Sequence, residues 1–452
     1  MTRVLVITGD PIGPRMAGPA IRAWNMANVL TAAGNEVALM TTTFLEPMDS
    51  PFALHRVRPG ENRAFAELEW WADVIVFQGH AMAQFDGLRS TTKIVVADIY
   101  DPMHLEMLEQ GRELGPATWE LRVSTARDVL NEQLALADFF LCASERQRLF
   151  YLGQLTTLGR INPYTYANDP HLAQLIAVAP FGLSATPPMH ETDVIKGVRE
   201  GIAADDKVLI WGGGLYNWFD PLSLITAVAR LAERRDGVRL FFLGTRHPGV
   251  GEMGIVRESY DLARELGALD TSVFFNDTWV EYTQRQNYLL EADAGVSTHM
   301  SHVETTFAFR TRILDYLWAG LPMVVTEGDS FAELVAAEGL GLVVPARDVA
   351  ALESALERVL FDDKFVAEAR RNVARVRDLF VWERALAPLV DFVRAPYRAA
   401  DNIGARVDRS ARAKRRKPYG VGHDVRMFWH YIRAEGPARV IARVASRFRR
   451  SR

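Results

Sequence analysis

The sequence predicts an α/β protein built from two doubly wound, parallel-sheet halves. Three observations carry that expectation. Short unbroken runs of Val, Ile, Leu and Phe, typical of strands buried on both faces, alternate with stretches of helical spacing. A Gly-rich turn follows the first apolar run of each half. The 452 residues also leave room for two domains and something extra.

In order along the chain, RVLVIT (3–8) reads as the first strand, and GDPIGPRMAGP after it as a long Gly/Pro loop containing Gly13, Arg15 and Gly18. Ile21, Trp24, Ala27 and Leu30 then mark a helix that Gly34 ends, and EVALMTT (36–42) is the next strand. Further strands are expected at 74–77, 94–97, 139–142 and near 175–179, with Ser144 and Gln147 as a capping box for the helix between the last two. Pro180-Phe181-Gly182 and SATPPMHETD read as a linker.

The pattern then restarts. VLIW (208–211) runs into Gly212-Gly213-Gly214, and a helix begins near Asp220. Strands at 239–243, 272–275 and 294–297 alternate with helices near 253–267 and 281–291. A polar loop with His302 and Glu304 enters an amphipathic segment from about Thr306 to Ala319, which Gly320 stops. Arg310, Arg312 and Asp315 lie in and just before this helix, where Arg312 and Asp315 share a face. Met323 to Val325 is a buried strand, Gly328-Asp329-Ser330 a turn before another helix, and 341–344 the last strand. The resulting divisions are 1–185, 186–380, a terminal helix at 381–400 returning to the first half, and a tail at 401–452.

Composition narrows the function classes. The chain is 49% apolar and 24% charged, ordinary values for a soluble globular protein. Cys142 is the only cysteine, which rules out an intrachain disulfide and a thiolate metal site and fits a reducing compartment. The N-terminal apolar run is too short for a signal peptide, and no run reaches membrane-spanning length, so a cytoplasmic protein is expected. Charge is uneven. From Arg398 to Arg452 there are 16 Lys and Arg against 4 Asp and Glu, a net +12, and the remaining 36 against 52 make the body −16.

Gly-rich turns at strand ends bring backbone N–H groups close to phosphate. A dinucleotide fingerprint is nevertheless broken in both halves. Gly9, Gly13 and Gly18 have the wrong spacing; in the second turn Asn217 stands where the third glycine belongs, and the next strand ends in Gly244-Thr245-Arg246 without an acid. An arginine there keeps a dehydrogenase holding a 2′-phosphate as a distant rival.

The layout resembles the GT-B glycosyltransferases, particularly the retaining enzymes of glycosyltransferase family 4, over roughly residues 3 to 397. The resemblance rests on GPAIRAWNMANVLTAAGNEVALMT, VAPFGL (178–183), WGGGLYNWFDPLSLITAV and RILDYLWAGLPMVVTEGDSFAELV in this order. It implies a GT-B fold, with an acceptor domain first and a nucleotide-sugar domain second. In the family an acid five residues before the glycine of Gly-x-Pro holds the ribose; Asp315 occupies that place, and Arg312 matches the basic residue before it. A second acid usually sits where this chain has Phe307, so Glu304 is its stand-in at the donor sugar. The donor loop lacks the family's Arg and Lys, leaving Arg310, Arg312, Arg246 and Arg15 as candidate diphosphate partners, beside Gly213, Gly214, Asn217, Gly328, Asp329 and Ser330. A histidine near the transferred sugar in many relatives directs attention to Asp98, Asp101 and His104, with Asp101 or His104 as a base. Asp101-Pro102 also reads as a plain helix N-cap, and His302 as a loop hydrogen-bonder.

No Asp-x-Asp or His/Cys/Asp group has metal spacing, so no metal and no cofactor beyond the nucleotide sugar is expected. The expected function is transfer of a sugar from a UDP- or GDP-sugar to a cell-envelope glycan or lipid-linked acceptor. A sugar-nucleotide 2-epimerase and an inactive sugar-nucleotide-binding protein are the rivals. The basic run Arg412, Lys414 to Lys417 and the aromatic and arginine positions of 425–449 suit an anionic membrane surface at the inner face of the cell membrane; nucleic acid is not expected, because the body is acidic.

Overall fold

The computed structural model describes residues 1–245 and 253–402. Arg246 and the basic tail from 403 therefore lie outside the described residues. The first domain carries seven parallel strands: β1 (Arg3–Thr8), β2 (Glu36–Thr41), β3 (Ala53–Arg56), β4 (Val74–Gln78), β5 (Ile94–Asp98), β6 (Phe139–Cys142) and β7 (Ile176–Val178). Their order is β3-β2-β1-β4-β5-β6-β7. The second carries β8 (Lys207–Trp211), β9 (Val238–Phe242), β10 (Val273–Phe275), β11 (Ala294–Ser297), β12 (Met323–Thr326) and β13 (Gly341–Val344) in the order β10-β9-β8-β11-β12-β13. The order reverses beside β1 and again beside β8, the two places where an open α/β sheet leaves a crevice for ligands.

Most strands are apolar on both faces because helices cover both sides. β1 pairs with β2 and β4, and Val4, Leu5, Val6 and Ile7 are wholly buried. One strand departs from this pattern. β3 is half-exposed Ala-Leu-His-Arg at the sheet edge, with no apolar run to announce it.

The expected helix over Thr306 to Ala319 is two helices, Val303–Phe307 and Arg312–Ala319. Ala308 is extended, so Ala308 to Thr311 form a turn, and Arg310 sits in that turn rather than on a helix. Gly320 then closes the second helix in the left-handed conformation, which only glycine adopts without strain. His302 caps the first helix, its ring Nδ1 accepting from Thr305 N at 3.2 Å. The terminal helix is also segmented, into a short turn Asp378–Phe380 and helices Trp382–Ala385 and Ala387–Arg394.

The chain passes between domains twice, side by side. Leu183 bridges Val381, and Trp382 packs so tightly over Gly182 that a Cβ there would lie 2.5 Å from its ring. Beyond this point the chain returns to the first domain. Phe392 stacks on Phe139 at 4.4 Å, and Arg160 holds Asp401 through two hydrogen bonds in a fully buried site.

Candidate active site

Between the domains, at the carboxyl ends of β1, β5, β8, β9, β10 and β11, lies a cavity of about 430 Å³. Its lining mixes aromatic rings with charged side chains that differ between the two walls.

The second domain supplies the cations. Arg312 opens helix Arg312–Ala319, and its guanidinium is stacked 4.3 Å from the Trp211 ring and 4.0 Å from the Phe219 ring. Its Nη2 donates to Gly214 O at 3.1 Å, while Nη1 has no hydrogen-bond partner among the described residues although Arg312 is only 7% exposed. Burial pushes its pKa down to about 10, as expected for a charge held dry with no carboxylate against it. Arg310 is different: Nη1 and Nη2 donate to the two carboxylate oxygens of Glu304 at 3.0 and 2.7 Å, a buried bidentate pair. Arg285 lies between the rings of Tyr282, at 3.6 Å, and Trp318, at 4.4 Å, and its Nε donates to Asp315 Oδ1 at 3.0 Å. Burial opposes the Arg285 charge, but Asp315 beside it keeps its pKa above the ordinary value. Arg312 and Asp315 thus share a helix face toward the cavity without pairing; Asp315 belongs to Arg285.

The Gly-rich turn after β8 is shaped from beneath. The Tyr316 hydroxyl accepts from Gly212 N at 2.9 Å and donates to Val296 O at 2.7 Å. Its ring lies so close under Gly295 that a Cβ would fall 2.4 Å away. Gly212 N–H is therefore committed to the protein, while Gly213 and Gly214 line the cavity.

The first domain supplies acids. Asp10, Tyr100, Asp101 and Glu106 line the cavity together with Gly18 at the start of helix Gly18–Ala32. Asp101 and Glu106 are hydrogen-bonded through their side chains, and burial raises both: Asp101 to about 6, Glu106 well above the carboxylate range. Burial also raises Asp10 to about 6. Asp98 stands apart from this group. Arg22 donates to both its oxygens, at 2.7 and 2.8 Å, with both side chains fully buried, and also donates to Ala179 O and Pro180 O in the linker. That ion pair is tied to the start of the linker.

Several expected site residues sit elsewhere. His104 does not line the cavity: its ring stacks on Phe150 at 5.5 Å, Nε2 meets Gln154 at 3.3 Å, and burial lowers its pKa to about 4. Asp101 does not cap its helix, which begins at Met103 after Pro102. Asn217 turns to helix Gly254–Glu265, accepting from Ile255 N. Asp329 caps helix Ser330–Glu338 through Ala332 N at 2.7 Å, and Gly328 O is taken by Arg146. Gly13 packs against Glu46, and exposed Arg15 lies 3.8 Å from Glu281. Among the described residues one group, His190, Asp193 and Glu291, is close enough to hold an ion. It lies at the linker outside the cavity, and both Glu291 oxygens already accept backbone N–H groups of 194–196.

Sequence reading missed Arg285, Glu106 and Asp10. Asp10, beside the first Gly-rich turn, had a usable signal in its place after β1; the other two sit in helices with no motif around them.

Residues 206–362 match the family model described as Glycosyl transferases group 1, the stretch that contains Arg285, Arg310, Arg312 and Asp315. Among curated proteins no match is found. The fold is similar to sucrose-phosphate synthase from Thermosynechococcus elongatus (TM-score 0.63, 17% identity, 87% of this chain and 98% of that one). It is also similar to WaaG, a glycosyltransferase of lipopolysaccharide biosynthesis (0.57, 18%, 86% and 100%). A third similar structure is Anabaena HepE in complex with UDP-glucose (0.59, 14%, 87% and 100%). These likenesses establish the GT-B arrangement of the two sheets.

Proposed function

We propose that this chain, a nucleotide-sugar-dependent glycosyltransferase by its group 1 match and GT-B frame, moves a hexose with retention from a UDP- or GDP-sugar to a cell-envelope glycan or lipid-linked acceptor. The observation that carries the reading is Arg312: a buried, cavity-facing cation with an open N–H and no carboxylate partner among the described residues. Such a group needs an anion, and the N-terminus of its own helix adds a favourable dipole. A diphosphate placed there leaves Asp315, steadied by Arg285, for the ribose hydroxyls, and puts the sugar between Glu304 and the acids of the first domain. HepE and a trehalose-6-phosphate enzyme with UDP-2-fluoro glucose, both similar in fold, were solved with UDP-sugars, which favours UDP as the carrier.

Transfer breaks the bond from the anomeric carbon to the diphosphate oxygen and forms one to the acceptor oxygen on the same face, as retention requires. Arg312 offsets the charge developing on the leaving diphosphate. The acceptor proton passes to Asp101, which shares a side-chain hydrogen bond with Glu106, the carboxyl that burial raises further of the two. Arginine and backbone dipoles serve the diphosphate without a metal; loss of turnover with a chelator, restored by manganese or magnesium, would overturn that part. The basic tail places the enzyme at an anionic membrane face, and among the described residues no helix is long and apolar enough to cross one.

The deciding measurement is a thermal-shift screen with UDP, GDP and their sugars. A ligand at about 100 times its Kd stabilises by ~2.7 kcal/mol, well within detection. No shift with any of them, in a folded protein, removes the proposal. Release of nucleotide without acceptor, with a 2-epimer as product, would point to the epimerase.

A further inference from the structure

Helix Glu145–Thr157 belongs to the first domain, yet its first turn is fastened to the second. Gln147 is wholly buried, and its amide is fully used. Oε1 accepts from Ala143 N at 2.8 Å; Nε2 donates both to Tyr100 O, at 2.9 Å, and to Phe307 O, at 2.8 Å. Those two carbonyls stand on opposite walls of the cleft. Tyr100 immediately precedes Asp101, and Phe307 ends the short helix that carries Glu304. Arg146, one residue earlier, donates to Gly328 O at 2.6 Å and to Thr306 O at 3.4 Å, and pairs with Glu333. Phe150, one turn on, packs on Phe307 with ring centres 4.4 Å apart.

We propose that Arg146 and Gln147 are positioning residues: a latch that fixes the spacing between Asp101 on the acceptor wall and the Glu304–Arg310 pair on the donor wall. The inference rests on the reading of the cavity as a glycosyl-transfer site. Closure of the cleft excludes water and aligns acceptor with donor. A side chain that bonds one carbonyl from each wall is satisfied only in the closed alignment, so opening leaves a buried amide and two carbonyls in need of water. The contacts of Arg146 are more exposed and act as the outer half of the same fastening.

The test uses the full chain and the variants Arg146→Ala, Arg146→Lys and Gln147→Leu. Hydrogen exchange without ligand is followed in peptides covering 302–310 and 326–334. Arg146→Ala is expected to raise exchange there about tenfold, with the strands of both sheets unchanged, and Arg146→Lys to restore most of the protection. Gln147→Leu should act in the same place and more strongly. With UDP-glucose as probe, the latch variants should keep the UDP thermal shift of the parent while the ratio of donor hydrolysis to transfer rises severalfold. Unchanged local exchange in Arg146→Ala, or a rise spread evenly over both sheets, overturns the latch. A parent protein that shows no UDP or GDP shift overturns the functional reading instead, and the exchange measurement still scores the latch by itself.

Discussion

The two walls of the cleft use charge in opposite ways. Among the described residues of the donor wall each carboxylate has an arginine, Glu304 with Arg310 and Asp315 with Arg285, and one arginine, Arg312, is left over. On the acceptor wall the balance is reversed. The buried cation there, Arg22, is spent on Asp98 and the linker carbonyls, so Asp10, Asp101 and Glu106 face the cavity without a basic partner from their own domain. One wall waits for an anion. The other presents carboxyl groups that can accept from hydroxyls.

Substitutions that even out the two walls should therefore fail in different ways. The largest effect is expected for Asp101→Asn, which removes the proposed proton acceptor: transfer should drop by about 10²–10⁴ with the UDP or GDP thermal shift intact. Equal loss of nucleotide binding would break the division of labour. Arg312→Ala should act on the other wall, weakening nucleotide diphosphate binding by roughly 10–100-fold, the worth of a charge-assisted hydrogen bond of about 1.5–3 kcal/mol. Titration calorimetry that finds unchanged affinity would move the diphosphate elsewhere. Asp315→Ala should raise the KM for the nucleotide sugar about tenfold, one hydrogen bond's worth, and an unchanged KM would remove it from the ribose. Glu106→Gln should be the mildest, within about threefold in kcat, because an amide keeps the side-chain hydrogen bond to Asp101.

pH sharpens the same contrast. Asp101 is raised to about 6 in the folded protein, so transfer should climb as pH rises through 6, the range in which Asp101 becomes an acceptor. Stability runs the other way. A carboxyl whose folded pKa is raised favours folding below its unfolded value near 4, and that contribution is lost as pH rises through about 6. Asp10→Asn and Asp101→Asn should consequently raise Tm at pH 8 by a few degrees and leave it nearly unchanged at pH 4, readable by calorimetry.

The strands were legible because a parallel strand buried on both faces must be apolar throughout; β3, at an edge, was under no such demand and left no trace. The split between Val303–Phe307 and Arg312–Ala319 was hidden for the opposite reason. Apolar residues keep near-helical spacing across 306–319, while the break is set by Ala308 turning extended under tertiary contacts. Among the site candidates, Asp101 was readable from its place just after a strand end, and Arg312 and Asp315 from their spacing ahead of Gly320 and Pro322 in the family resemblance. Their partners were not. The link from Arg285 to Asp315 crosses 30 residues, and that from Arg146 to Gly328 crosses 182, distances at which pattern carries no information about who meets whom.

The return of the chain to its first domain also has a consequence in time. Asp401, which neutralises Arg160 in the interior of that domain, is 241 residues further along. At a synthesis rate of roughly 5–20 residues per second, Arg160 waits on the order of 10–50 s for its counter-ion. The first domain to leave the ribosome is thus the last to be finished, and until then Arg160 lacks the carboxylate that neutralises it in the folded interior.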